Sequence, residues 1–357
     1  MLGTLRFLLA ALVVVAHLWQ KPYWVGSYAV FVFYMISGYL MTLVMTKKYG
    51  YSPDGVLRFG VNRVLRIFPA YYLAVALSAA LIAFTGPSFS TAVNKALYLP
   101  EGGELIANLT LVGLSPITGS RLVPPAWALG VEVCFYLLIA AGLGRSRLVA
   151  GWWAAISAAV TIAMLVGGAD YGTRYFSLQA ASLPFSLGAL LLHYRAEIGA
   201  RLRDVSLGVA CGLYLAVLVG PAVYHVLFGE FSGLFHPQNG FFYLNLAAGF
   251  VLLAKLAELR ELPGISRDWD TRLGDLSYPI YLLHWPVGLC IAYLVFGSPN
   301  KGLMLLLVSM PPLLLLSYAV HRWVEAPIEA LRQVLGREQR PTAPAAAEVP
   351  VERVTPE

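Results

Sequence analysis

Charge is what this sequence has least of. Asp, Glu, Lys and Arg make up 12% of its 357 residues against 59% hydrophobic ones, and the mean hydropathy is +0.70. A chain so poor in charge cannot cover itself with a water-facing surface, which excludes the soluble classes and leaves a polytopic membrane protein. Cysteine is scarce as well. Cys134, Cys211 and Cys290 each fall inside an apolar run, with no paired spacing and no cluster with histidine, so neither a disulfide scaffold nor a metal site is indicated. Acidic residues are outnumbered by basic ones, 19 to 25, but the basic residues sit in short loops between apolar runs. That placement sets topology and argues against a nucleic-acid surface. Two further absences matter. No small-x-small cleavage site follows the first apolar run, where Trp19, Tyr23 and Trp24 supply interfacial aromatics instead. No internal repeat suggests the doubled halves of a transporter.

What is present is a series of apolar runs of about 20 residues, the length a bilayer crossing needs. They read as ten helices, at 7–25, 28–46, 67–85, 125–143, 148–168, 174–194, 205–228, 241–258, 277–297 and 302–321. With the N-terminus in the cytoplasm, the outer segments hold only Lys21, Lys95, Arg121, Arg174 and Lys301 of the 25 basic residues. The other twenty then lie inside, so the expected fold is an all-α polytopic bundle of about ten transmembrane helices with both termini cytoplasmic. Residues 1–335 form the membrane domain, and 336–357, rich in Ala, Pro and Glu, read as a disordered tail. Between 86 and 124 lies the longest outer connection, whose apolar piece from Leu105 to Leu114 is too short to span and reads as a re-entrant or surface-lying segment.

Polar residues inside such runs are candidates for function. In the first run Arg6 and His17 are eleven residues apart, three helical turns, so they share a face and are separated by roughly 16 Å of rise. An arginine near the surface can hold an anion, and a deeper histidine can move a proton at neutral pH. A signal-anchor helix whose histidine pairs with a neighbour accounts for the same pattern. Arg63 and Arg66, three apart, form two guanidinium forks suited to several phosphate oxygens, and also fit an ordinary positive-inside cluster. Glu132, about two turns into the fourth run, is expected to meet His17 in the outer half of the membrane, although any arginine would serve it as partner. Tyr278, Tyr281 and His284 recur every three residues as a polar ridge able to line a cavity, or as interfacial aromatics.

Six motifs in order then carry a resemblance. Arg6 with His17; Phe33-Tyr34-Met35-Ile36-Ser37-Gly38-Tyr39; Arg63-x-x-Arg66-Ile67-x-Pro69; Trp127-x-Leu129-x-x-Glu132; Ser277-Tyr278-x-x-Tyr281-Leu282-x-His284-x-Pro286; and Glu325-Ala326-Pro327. Together these resemble the acyltransferase-3 family of bacterial membrane O-acyltransferases, over nearly all of residues 1–330. The resemblance implies a ten-helix core that carries an acyl group, usually acetyl, from cytoplasmic acyl-CoA to a sugar hydroxyl on the outer side. It implies that Arg6 and His17 are the catalytic pair, with Glu132 as the acidic residue of the fourth motif. Arg63 and Arg66 would hold the CoA donor, and Ser37, Trp127, Tyr278, Tyr281 and His284 would line the cavity. Many members carry small hydroxyl residues where Ala128 and Gly130 stand, so hydrogen bonds from those two positions are missing here.

The expectation is therefore a multi-pass protein of the bacterial inner membrane that acetylates a lipid-linked or growing surface polysaccharide. It would bind no permanent cofactor, use acetyl-CoA as donor substrate, and act beside polysaccharide-synthesis machinery in contact with membrane lipid, with no nucleic-acid partner. A secondary transporter of an anionic small molecule is the rival, because polar residues inside a bundle also mark substrate pathways.

Overall fold

The computed structural model describes residues 2–259 and 261–337. All ten apolar runs are mainly helical, although the first leaves its helix at Leu18 and the sixth is interrupted at Ser177. In chain order the α-helices are α1 Gly3–Leu18, α2 Trp24–Val44, α3 Pro53–Thr85, α4 Pro87–Val93, α5 Gly102–Thr110, α6 Trp127–Ala140, α7 Arg147–Val166 and α8 Tyr171–Phe176. They continue with α9 Leu178–His193, α10 Arg195–Arg201, α11 Leu207–Phe228, α12 Gly240–Glu258, α13 Arg267–Leu294, α14 Leu303–Val320 and α15 Ala326–Arg337. No strand forms among the described residues. Six stretches are long and apolar enough to cross a membrane: Trp24–Tyr49, Pro53–Thr85, Arg147–Val166, Leu207–Phe228, Gly240–Glu258 and Leu303–Gln333. The protein is thus an all-helical, multi-pass membrane protein. Helices Gly3–Leu18, Pro124–Ala140 and Leu178–His193 are apolar but shorter.

Local chemistry explains the helix starts. The hydroxyls of Ser52, Ser146, Ser177, Ser206 and Ser266 each accept from the backbone N–H three residues on, and so satisfy donors that the first turn leaves free. Helix α1 has no cap of its own. Its first N–H groups donate instead to the carboxylate of Asp270 in α13, Gly3 at 3.1 Å and Thr4 at 2.8 Å, and the Thr4 hydroxyl adds a third bond at 2.8 Å. This borrowed cap fixes α1 at the start of α13, the helix it packs against most extensively.

The crossing is close enough to require glycine. A Cβ on Gly274 would lie 2.6 Å from the Gly3 Cα, and one on Gly3 would lie 1.8 Å from the Asp270 carbonyl oxygen. Small residues let membrane helices approach backbone to backbone. Around this pair, α2 and α14 complete the packing of α1, and α2 in turn packs on α9.

Several boundaries differ from those expected, and three of the differences bear on the site. Helix α3 begins at Pro53 and runs through Pro69, so Arg63 and Arg66 stand within a continuous helix of 33 residues rather than in a loop before it. Helix α13 begins at Arg267, ten residues earlier than the apolar run, because Ser266 caps it and its polar first turns pack on α1. After α14 the chain continues through one wide π-turn, His321–Glu325, into α15. Such turns reorient side chains inside a helix, and this one ends at Glu325. In the 86–124 connection, α5 lies with Leu105, Ile106 and Leu109 exposed and only Asn108 buried, as a surface-lying apolar segment would. Asn108 organises the loop: its amide donates to the carbonyls of Glu104 and Ser120, and its oxygen accepts from Leu122 N–H. The tail expected over 336–357 lies outside the described residues beyond Arg337, where α15 ends.

Candidate active site

Two cavities hollow the bundle, and the expected site residues divide between them. The one at the Arg6 end of α1, called the inner one, is about 150 Å³ and is lined by Arg6, Arg63, Arg66, Ser37, Glu132, Tyr136 and Tyr278 among others. The outer one, about 330 Å³, is lined by His17, Gln20, Arg121, Trp127, Trp285 and Lys301 among others. Val30 and Tyr281 line both and form the partition between them.

The inner chamber gathers three guanidinium groups from α1 and α3. Arg6 lies against the bare backbone of Gly274, and its Nε has no hydrogen-bond partner among the described residues. The Arg63 Nε is likewise unpartnered; its Nη2 donates to Asn62 Oδ1, and its Nη1 faces the Met41 sulfur at 3.3 Å. Arg66 donates through Nη1 to Glu325 Oε1 at 2.9 Å and lies over the Tyr278 ring, 5.4 Å from its centroid. Beyond the Glu-Ala-Pro motif, nothing in the sequence around Glu325 marks it, because its partner is 259 positions away. Behind it His321 approaches Glu325 at 3.6 Å and Asp275 at 4.0 Å. Buried donors without acceptors are costly. An anion with several oxygens would satisfy the free N–H groups of Arg6 and Arg63 together.

Glu132 also belongs to this chamber. It accepts from the Ser37 hydroxyl at 2.5 Å. The expected meeting with His17 does not occur: the two residues line different cavities. The reason is the entry of α6. Residues 124–126 form a 3-10 turn that is itself buried under the outer cavity, and the Pro125 carbonyl accepts from the Tyr281 hydroxyl at 2.8 Å. Helix α6 therefore starts deep in the bundle, and Glu132 lies inward of the partition.

The partner of His17 is His284. Their rings lie edge to edge, with centroids 5.1 Å apart and planes within 12° of parallel, and His17 Nδ1 lies 2.9 Å from His284 Nε2. The other nitrogen of His284, Nδ1, faces the Ile280 carbonyl at 3.3 Å. His284 is completely buried and lines neither cavity, which corrects its expected cavity-lining role: it stands behind His17. Tyr278 is tied to the Ile67 carbonyl at 2.8 Å and so braces α13 against α3. The ridge of Tyr278, Tyr281 and His284 thus spreads over three environments.

Aromatic rings wall the outer chamber. Trp127 meets Tyr175 and Phe176 edge-on at 5.3 and 4.9 Å, and Trp285 lies 5.5 Å from His17. The Lys301 ammonium stands over Trp285, 4.8 Å from the ring centroid, and burial holds its pKa below the usual lysine value. In the sequence Lys301 counts only toward topology, since nothing local distinguishes it from any loop lysine.

Fold and site together define a class: a multi-pass membrane protein with an arginine-lined chamber on one side of a partition and a histidine-lined chamber on the other. The family model described as Acyltransferase domain matches residues 2–322, and the chain belongs to that family; it is an acyltransferase. The exopolysaccharide production protein ExoZ of Rhizobium meliloti is 27% identical over 269 residues, covering 73% of this chain and 76% of its own. The putative membrane-bound transacylase BcsY of Komagataeibacter xylinus is 27% identical over 325 residues, covering 84% and 75%. No solved structure matches.

Proposed function

We propose that the protein is an O-acyltransferase of the bacterial inner membrane that moves an acyl group, acetyl in the first instance, from cytoplasmic acyl-CoA to a hydroxyl of a lipid-linked or growing surface polysaccharide. In this reading the helices of all ten apolar runs cross, the shorter ones included, both termini are cytoplasmic, and the arginine chamber opens inward. The observation that carries it is the division of the site, with anion-holding groups on one side of the Val30 and Tyr281 partition and His17 on the other. Donor and acceptor approach from opposite faces, and the acyl end of the donor needs to pass only the partition. An extended pantetheine arm covers the distance between Arg6 and His17, roughly 16 Å along α1, without moving the nucleotide across the bilayer.

The residues around His17 support one placement of its protons. His284 Nδ1 faces a carbonyl, which can only accept, so that nitrogen carries the hydrogen. His284 Nε2 is then an acceptor, and His17 Nδ1 must donate to it. The lone pair of His17 is thereby left on Nε2 as the base. In direct transfer Nε2 takes the proton of the acceptor hydroxyl while its oxygen attacks the thioester carbonyl. The carbon–sulfur bond breaks, and the thiolate of CoA recovers the proton as the thiol. A route through an acyl group on Nε2 uses the same lone pair. His284 is a positioning residue in both. The relatives support the acceptor class, one being named for exopolysaccharide production.

His17→Ala and His17→Gln in purified protein test the reading. A general base contributes about 10²–10⁴-fold, so transfer of labelled acetyl from acetyl-CoA to a saccharide should fall by at least ~10²-fold in both while CoA still binds. Transfer within about threefold of wild type in either variant would make His17 structural and remove this mechanism.

A further inference from the structure

The outer chamber is more than a passage to His17, because its charge is one-sided. Two cations line it, Lys301 and Arg121, and no carboxylate is among its lining residues. Lys301 makes no ion pair among the described residues. Its place is fixed rather than floppy: the next residue, Gly302, donates its N–H to the carbonyl of Leu18 at 3.0 Å, directly after His17 in the chain. The ammonium then sits over Trp285, the ring that also flanks His17. Arg121 is half committed, its Nη1 donating to the Ser115 carbonyl at 2.7 Å while its buried Nε has no partner. Holding a part-buried ammonium without a counterion costs free energy that a ligand anion returns. Gln20 and Asn94 add amide groups on the same wall, of the kind that bond hydroxyls.

Resting on the reading of this cavity as the acceptor chamber, we infer that its acceptor is an anionic saccharide, a sugar unit bearing a carboxylate or a phosphate whose negative group seats against Lys301 beside the reacting hydroxyl. The charge selects as well as holds. A neutral sugar leaves the ammonium unpaired, and a sugar with a free amine meets it with repulsion. Next to the base, the same ammonium would draw the acceptor into one register, so that the hydroxyl presented to His17 is the one at a fixed distance from the anionic group.

Binding of three probes to the full chain in lipid nanodiscs separates the possibilities: a neutral oligosaccharide, the same oligosaccharide with one uronate unit, and the same with one sugar phosphate. Calorimetry is expected to show one or both anionic probes binding at least about tenfold tighter than the neutral one, the scale of a charge-assisted contact. Which of the two binds tighter identifies the anion. Lys301→Gln should erase the preference and Lys301→Arg should keep most of it, with CoA affinity unmoved in both, since CoA occupies the other chamber. Equal binding of neutral and anionic probes by the wild-type chain, or a preference that survives Lys301→Gln, overturns the inference and leaves Lys301 a topology charge. Failure of all three probes to bind, with CoA binding intact, would overturn instead the assignment of the outer cavity to the acceptor, and the inference with it.

Discussion

At the scale of single residues, Arg66 is engaged twice, by the Glu325 carboxylate and by the Tyr278 ring. Its role in structure and its proposed role toward the donor can be separated by substitution. Arg66→Ala should weaken CoA binding roughly tenfold, since a charge-assisted hydrogen bond is typically worth ~1.5–3 kcal/mol. It should also lower the melting temperature, because Glu325, only 7% exposed, is left without its cation. Adding Glu325→Gln should restore the melting temperature and leave CoA binding weak. Lysine at 66 should rescue binding only in part, lacking the planar fork. Titration of CoA into each folded variant checks this, and wild-type affinity in Arg66→Ala would leave the arginine a purely structural ion-pair partner. The sequence exposes Arg6, His17, Arg63, Arg66 and Glu132 as polar residues in apolar surroundings, but it hides their partners. His17 and His284 are 267 positions apart, so only the α1–α13 crossing makes them a pair.

At the scale of elements, that crossing is what aligns the site. Helix α1 carries both Arg6 and His17, and the Asp270 cap with the Gly3 and Gly274 contact fixes its height and rotation against α13, which carries Tyr278, Tyr281 and His284. Gly274→Ala places a methyl 2.6 Å from backbone at Gly3 and from the Arg6 guanidinium. Overpacking of this kind costs about 1–3 kcal/mol. The equivalent change at Gly288 meets only the tip of Leu18, at 2.7 Å, which can rotate away. Gly274→Ala should therefore lower thermal stability and CoA affinity together, and Gly288→Ala should do markedly less to either; a reversed order in a thermal-shift series would remove the crossing from its controlling position. The apolar runs revealed these helices because length and hydropathy alone specify them. They could not reveal that α6 begins under the outer cavity, because Val123, Pro124 and Pro125 are apolar whether they lie at a surface or inside.

At the scale of the whole molecule, orientation is the property on which every functional statement depends, and the count of basic residues is its source. Alkaline-phosphatase fusions read it directly: a fusion at Gly336 should be inactive and one within 102–110 active, whereas activity at Gly336 would invert the bundle and exchange the sides assigned to donor and acceptor. The division into two chambers has a further consequence for the cell. A bundle hollowed from both faces is one thin wall away from being a pore. Here the wall is built from the Val30 side chain and the ring of Tyr281, whose hydroxyl is turned aside to the Pro125 carbonyl. Apolar constrictions of this sort block conduction by excluding water, so a hydrated ion meets no ligand at the narrowest point. In the proposed mechanism, the partition that the acyl chain passes would thus also be the insulation that keeps the enzyme from short-circuiting the ion gradients of its membrane.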